Sequence, residues 1–375
     1  MPVMSLSKEA QKRYERQIKL PGFGLEGQAR LLASKVLIVG GGGLGCPLAL
    51  YLAGGGVGEI AVLDSDNVEL SNLQRQIAFK TSDLGKNKAD ALVQAMSALN
   101  PEIKVRAINS RLTADNYQLL KGYDLVIDGT DNFETRFLIA DAAYLLGLPV
   151  LHGAVYRYSA QVFLNCAATN KESPCYRCLF AAPPKQGLLA CSEVGVLGVI
   201  AGAAAMLMAG EAVKFLCGNT VSSGELITYD GNSQSIQKLA LSKDKSCPLC
   251  ALGTITKVES LASSCPDDKE VETISAQEAK ARHAQGATLI DVRETAEYER
   301  QSLTNSKNLP LSTINETNLE SGLPSGDWLI YCQKGRRSIR AAHILHDRGI
   351  RCASVDGGIE ALIEVGFPFI TLEKA

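Results

Sequence analysis

The stretch from Lys35 to Asp64 restricts the possible folds more than any other. Lys35-Val-Leu-Ile-Val39 is a short apolar, β-branched run. Gly40-Gly-Gly-Gly-Leu-Gly45 follows at once, then a helical stretch over 47–53, then Ile60-Ala-Val-Leu-Asp64. Strand, glycine turn, helix and a strand ending in an acid make a βαβ unit, whose crossover demands parallel pairing. The alternation continues. Ala89, Leu92, Val93, Met96 and Leu99 recur at helical spacing, and Asn100-Pro101 stops that helix. Strands are predicted over 103–108, 125–128, 150–151 and 161–164. The fold class is α/β, with an open and mostly parallel sheet. Residues 1–30 read as a helical lead-in that ends in the turn Pro21-Gly-Phe-Gly24 and carries no signal-peptide pattern.

Gly40–Gly45 satisfies G-x-G-x-x-G between strand and helix, where backbone N–H groups face an incoming phosphate and side chains would obstruct it. Asp64, 19 residues beyond Gly45, can accept hydrogen bonds from a ribose. This much suits a nicotinamide dehydrogenase as well as a nucleotide-activating enzyme. Ser71-Asn72-Leu73-Gln74-Arg75-Gln76, with Lys86 and Lys88 at a predicted helix start, separate the two, because a triphosphate needs cations at its β- and γ-phosphates before the α-phosphorus is attacked. Lys and Arg number 38 against 40 Asp and Glu, so no long-range field gathers anions, nucleic acid or an anionic membrane. Any phosphate must be held locally. Asp128-Gly-Thr-Asp131-Asn132 ends another apolar strand, where Asp131 can reach phosphates through Mg²⁺; Asp128 either joins it or caps the next helix.

Cys175-Tyr-Arg-Cys178 and Cys247-Pro-Leu-Cys250 repeat one spacing, and four thiolates in a tetrahedron suit a closed structural Zn²⁺ site. Cys46, Cys166, Cys217, Cys265 and Cys352 read as small buried hydrophobes. The uncharged run 194–210 is rich in Gly and Ala and reads as a buried helix rather than a membrane span. Cys191 precedes it and gains thiolate character from the helix dipole. His152, His283, His343 and His346 form no ligand or base constellation, and the last two read as solvent-exposed.

Periodicity lapses over 253–271, a linker, and a second α/β pattern occupies 272–375. It opens with the capping box Ser275-Ala-Gln-Glu278 and has strands over 288–292 and 328–331. Cys332 stands where the second of these strands turns through Gln333-Lys-Gly-Arg-Arg337 into a helix, the setting of an exposed, low-pKa thiolate.

Taken together, Arg13-Tyr-x-Arg16-Gln17, the Gly40–Gly45 loop, Asp64, Ser71–Arg75, Lys88 and Asp128–Asn132 resemble the molybdopterin-synthase and thiamine-pathway adenylyltransferases, relatives of ubiquitin-activating enzymes. The resemblance spans residues 8–252 and implies a Rossmann-like adenylating domain over 1–252. It implies that Gly43, Asp64, Ser71, Asn72, Leu73, Gln74 and Asn132 contact ATP. Arg75 and Lys88 would take the triphosphate, Asp131 the Mg²⁺ and phosphates, and Arg16 a partner subunit's site in a homodimer. Residues 272–375 resemble a rhodanese domain through Leu289-Ile-Asp291-Val-Arg293-Glu294, Glu297-Tyr298, Asn308-Leu-Pro310-Leu311 and Val355-Asp-Gly-Gly358. On that resemblance Cys332 carries a persulfide, while Asp291 and Arg293 order the fold. The implied substrate is a ubiquitin-like sulfur-carrier protein with a Gly-Gly C-terminus. Sulfur would come from a cysteine desulfurase or thiosulfate, and Cys191 would be a second sulfur-handling thiol. Molybdopterin biosynthesis in the cytoplasm is the expected setting, with a carrier for thiamine, tRNA thiolation or cysteine synthesis as the alternative; the rival readings of a different class are an NAD-dependent dehydrogenase and a non-catalytic rhodanese-like docking module.

Overall fold

A computed structural model describes residues 6–182, 195–259, 271–314 and 326–371. The chain divides into two compact units, Met1–Ser263 and Ser264–Ala375. The first is built on an eight-stranded sheet in the order β3-β2-β1-β4-β5-β6-β7-β8. Its strands are β1 (Lys35–Val39), β2 (Glu59–Leu63), β3 (Lys104–Ile108), β4 (Leu125–Asp128), β5 (Val150–Tyr156), β6 (Ser159–Asn165), β7 (Glu225–Asp230) and β8 (Ser235–Ala240). Pairing is parallel from β3 through β5 and antiparallel from β5 through β8.

The central strands are apolar throughout because helices cover both sheet faces. Val36 and Ile38 of β1, Ile60 and Val62 of β2, and Leu125 and Ile127 of β4 enter one core; Leu37, Val39, Ala61, Leu63 and Val126 enter the other. Each fully buried Leu, Ile or Val contributes about 1.5–3 kcal/mol. Strand order reverses between β1 and β4, so their carboxyl ends open a crevice at the switch point.

The helix Gly198–Leu216 is long and apolar enough to cross a membrane. Here it is a core helix: Ile200, Ala204, Ala205, Met208 and Ala212 join the core shared with β5, β6 and the helix Gly45–Gly55. A Cβ on Gly153 of β5 would lie 2.3 Å from the Met208 sulfur, which shows how closely helix and sheet approach.

Several elements differ from the sequence expectation. The lead-in does not end at the glycine turn, since the helix Gly24–Ala33 follows it. β5 and β6 are longer than foreseen and form a hairpin, which β7 and β8 extend.

The second unit carries a parallel sheet ordered β12-β10-β13-β14-β9. Its strands are β9 (Thr273–Ile274), β10 (Thr288–Asp291), β12 (Lys307–Asn308), β13 (Trp328–Tyr331) and β14 (Cys352–Val355). A separate ribbon pairs β11 (Gln301–Leu303) with β15 (Phe369–Thr371). The four residues of β13 are all buried, and Leu329 and Tyr331 pack with Leu289, Ala353, Val355, Ile359 and Leu362.

Candidate functional site

Two turns meet back to back at the switch point. Gly40 leaves β1 at φ +93°, and a Cβ there would lie 3.1 Å from the Gly129 backbone. A Cβ on Gly129 would lie 2.8 Å from the Gly40 carbonyl, and one on Gly45 only 2.0 Å from it. Glycine is thus required by contact at three positions as well as by conformation at one. Asp64 closes the turn from beyond β2, accepting from the Gly41 N–H at 2.7 Å and the Asp66 N–H at 2.8 Å. Burial pushes its carboxyl above the usual range, against the pull of those N–H groups and of the Lys88 charge.

The segment 71–76 folds over this turn. Arg75 lays its side-chain stem against Gly43, where a Cβ would be 3.3 Å from Cδ, and its Nη1 donates to the Ser71 carbonyl at 3.1 Å. Ser71 is exposed and donates to Glu69. Asn72 is buried and accepts from the Glu69 N–H at 3.1 Å, and Leu73 is half-buried. Gln74 is exposed, and its carbonyl would lie 2.3 Å from a Cβ on Gly198. Lys88 opens the helix Lys88–Leu99 and is buried along its stem, with Nζ 3.0 Å from Asp66 Oδ2. Lys86, by contrast, precedes the helix and pairs with Asp83.

After β4 the turn 129–131 presents Asp131 exposed. Asn132 is the N-cap of the helix Phe133–Leu146, accepting from the Thr135 N–H at 2.8 Å, so the capping role open to Asp128 falls to Asn132. Asp128 is instead fully buried. It accepts from the Thr130 N–H (3.0 Å) and hydroxyl (2.6 Å), from His152 Nδ1 (2.9 Å), and pairs with Arg136 Nε at 3.3 Å. Burial raises its pKa, but these partners prevail and hold it below the usual carboxylate range. Sequence reasoning missed this pairing and left His152 without a role. The one available signal was positional, since Asp128 ends β4 and His152, inside the adjacent β5, is its register partner.

The four motif cysteines converge. Cys175 and Cys178 sulfurs lie 3.8 Å apart, Cys175 and Cys247 3.5 Å, and Cys178 and Cys250 3.4 Å, with all four within 4.8 Å of one another. A tetrahedral ion with bonds of ~2.3 Å spaces its sulfurs by ~3.8 Å, so this group could hold a metal ion. Without one, burial and then the charges of the neighbouring sulfurs raise Cys175, and burial with its sulfur neighbours pushes Cys250 up to about 12. A divalent cation reverses that penalty. Arg177, between the first two ligands, forms a buried bidentate pair with Asp141, both bonds 2.7 Å, and lies over the Phe137 ring.

In the second unit Cys332 follows β13 and is 2% exposed, which corrects the expectation of an exposed thiolate. Its sulfur accepts from the Gly335 N–H at 3.2 Å, and Gly335 is the N-cap of the helix Arg336–Asp347 at φ +93°. Two arginines near it are engaged by acids. Arg337 forms a bidentate pair with Glu297 (2.6 and 2.8 Å), and Arg293 one with Asp291, also donating to Gln333 at 3.2 Å. A Cβ on Gly358 would lie 2.3 Å from the Cys332 carbonyl, so the Gly357-Gly358 turn seats the loop from below.

Cys191 and Cys265 lie outside the described residues. Arg16 is exposed on the short helix Glu15–Ile18. His343 and His346 are half-buried rather than solvent-exposed, and His346 Nε2 lies 3.0 Å from the Cys352 carbonyl. Cys46, Cys166, Cys217 and Cys352 are buried as expected.

Residues 14–249 match the ThiF family and residues 275–364 the rhodanese-like domain. The "Sulfur carrier protein adenylyltransferase" of Thermus thermophilus is 44% identical over 252 residues, covering 66% of this chain and 93% of that protein. The "Probable adenylyltransferase/sulfurtransferase MoeZ" of Mycobacterium tuberculosis is 37% identical over 373 residues, 96% of this chain and 94% of its own length. The "Adenylyltransferase and sulfurtransferase MOCS3" of Culex quinquefasciatus is 36% identical, covering 93% and 86%. Among solved structures, Escherichia coli MccB superposes with a TM-score of 0.59 at 22% identity, over 67% of this chain and 75% of that one, a likeness of fold.

Proposed function

This chain belongs to the ThiF family and is an adenylyltransferase and sulfurtransferase, and from that premise we propose that it converts a sulfur carrier's C-terminal carboxylate into a thiocarboxylate. Residues 1–252 form the adenylating domain, 253–271 a linker and 272–375 the sulfurtransferase domain. The substrate is the Gly-Gly tail of a ubiquitin-like carrier, and the carrier of molybdopterin biosynthesis is favoured by the resemblance of residues 8–252. The enzyme works in the cytoplasm as a homodimer, Arg16 reaching the site of a second copy.

ATP lies in the crevice above Gly40–Gly45, with Asp64 on the ribose. Ser71, Asn72, Leu73 and Gln74 line the nucleotide, and Arg75 and Lys88 neutralise the triphosphate. Asp131 and Asn132 face the phosphates, Asp131 through Mg²⁺. The carrier carboxylate attacks the α-phosphorus in line, pyrophosphate leaves and an acyl-adenylate forms. No general base is needed, because the nucleophile is already an anion and the barrier is one of positioning and charge. The outer sulfur of a Cys332 persulfide, loaded by a cysteine desulfurase or thiosulfate, then attacks the acyl carbon. AMP leaves and an acyl-disulfide remains. A thiol, the role assigned to Cys191, attacks the Cys332 sulfur and releases the thiocarboxylate; a reductant reopens the disulfide so formed. Zn²⁺ in the four-cysteine group is closed to substrate and clamps residue 250 to the middle of the domain.

The observation that carries this reading is Arg75 lying along the glycine turn, a cation a dinucleotide would not require. The test is carrier-dependent ATP–pyrophosphate exchange, with candidate carriers screened by the mass shift from carboxylate to thiocarboxylate. Arg75→Ala should slow exchange by ~10²–10³-fold. Near-normal exchange would refute the assignment.

A further inference from the structure

His152 has one polar task. The residue is 3% exposed, its ring tilted against Tyr176 with centroids 4.6 Å apart and stacked 6.3 Å from Phe163, and Nε2 has no hydrogen-bond partner among the described residues. Only Nδ1 is engaged, 2.9 Å from Asp128 Oδ2. A carboxylate can only accept, so Nδ1 carries the proton and the imidazole is neutral, in keeping with burial lowering its pKa. A polar ring buried with one nitrogen unsatisfied costs stability that an aliphatic residue would not.

What that cost secures is the turn after β4. Asp128 holds Thr130 by its N–H and its hydroxyl, while Arg136 Nη2 donates to the Thr130 carbonyl at 2.9 Å and to the Gly153 carbonyl at 3.2 Å. The turn is gripped on both sides of one residue, at the Thr130 N–H and the Thr130 carbonyl, and Gly129 within it abuts Gly40. The other oxygen of Asp128, Oδ2, is held by His152 Nδ1 at 2.9 Å and by Arg136 Nε at 3.3 Å, His152 making the shorter contact. We propose that His152 is a positioning residue for the nucleotide site: through Asp128 it sets the turn 129–131 and hence the carboxylate of Asp131. The inference rests on the reading of Asp131 as the Mg²⁺–phosphate residue.

The experiment measures equilibrium binding of ATP to the full-length chain across a Mg²⁺ titration, which needs no carrier. His152→Leu keeps the bulk and removes the bond; it should raise the Mg²⁺ concentration for half-maximal ATP binding by ~5–10-fold. His152→Asn, whose amide nitrogen can occupy the place of Nδ1, should return it towards wild type. Thr130→Val cuts the same linkage from the turn side at a half-buried position and should reproduce the His152→Leu shift, which decides the matter if His152→Leu does not fold. Thiosulfate:cyanide sulfurtransferase activity, which belongs to the second unit, normalises the amount of chain, and the Tm of the first unit reports whether that unit is folded. An unchanged Mg²⁺ requirement in His152→Leu and Thr130→Val, with only a lower Tm, overturns the proposal and makes the ring a core filler. If Asp131→Asn also leaves the Mg²⁺ dependence unaltered, the reading of Asp131 fails instead.

Discussion

The glycine turn at Gly40 and the loop at Cys332 solve the same geometric problem with opposite treatment of charge. Each follows a buried parallel strand, each leads into a helix N-terminus, and each contains a glycine at φ +93°. Around Gly40 the side chains recede and cations stay at hand, Arg75 along the turn and Lys88 paired to the largely exposed Asp66. Around Cys332 two arginines are engaged by acids: Arg337 by Glu297 and Arg293 by Asp291. A helix N-terminus therefore does not by itself select a ligand. Where counter-charge is withheld from the site, backbone N–H groups suit a single sulfur; where it is supplied, the same backbone suits a polyphosphate.

The most severe way to break that comparison is to remove the sulfur. Cys332→Ala should abolish thiocarboxylate formation, a loss of more than ~10³-fold, while ATP–pyrophosphate exchange stays within about twofold of wild type. Parallel loss of both activities would mean that the two regions do not act as separate stations. A smaller effect is expected from the four-cysteine group. Metal analysis should find about one Zn per chain, and chelation should lower the Tm of the first unit by several degrees while thiosulfate:cyanide activity persists. Less than ~0.5 Zn per chain would count against the clamp.

The smallest effect sharpens the account of paired charge. Burial alone would raise Glu297, but its bonds to Arg337 hold the folded value below the ordinary one. A depressed carboxylate stabilises the fold fully above its unfolded pKa of about 4.3, and that contribution disappears as pH falls through the folded value. Glu297 is about one-third exposed, so solvent screens the pair. Unfolding of the second unit should thus become steeper in pH below about 4, and Glu297→Gln should flatten this slope. An identical acid profile in the variant would show that Arg337 is held there without electrostatic consequence.

How much of this could be read from residue order follows from the range of each interaction. The β1–turn–β2 unit, the paired Cys-x-x-Cys motifs and the strand-to-helix placement of Cys332 are local patterns, and the structure contains all of them. The pairing of the arginines near Cys332 was not legible, because Glu297 lies 40 positions before Arg337 and Arg293 turns back on Asp291. Asp128 looked like a cap for the same reason: its partners Arg136 and His152 come from a helix and a neighbouring strand. A short apolar run also hid the hairpin of β5 and β6, whose register depends on cross-strand contacts that no window along the chain contains.

Arg177 sits between two of the four sulfur donors and gives its guanidinium to Asp141 across the unit's interior. Loss of any one sulfur donor would loosen the turn that carries Arg177, so holding an ion there also keeps the guanidinium aimed at the buried Asp141.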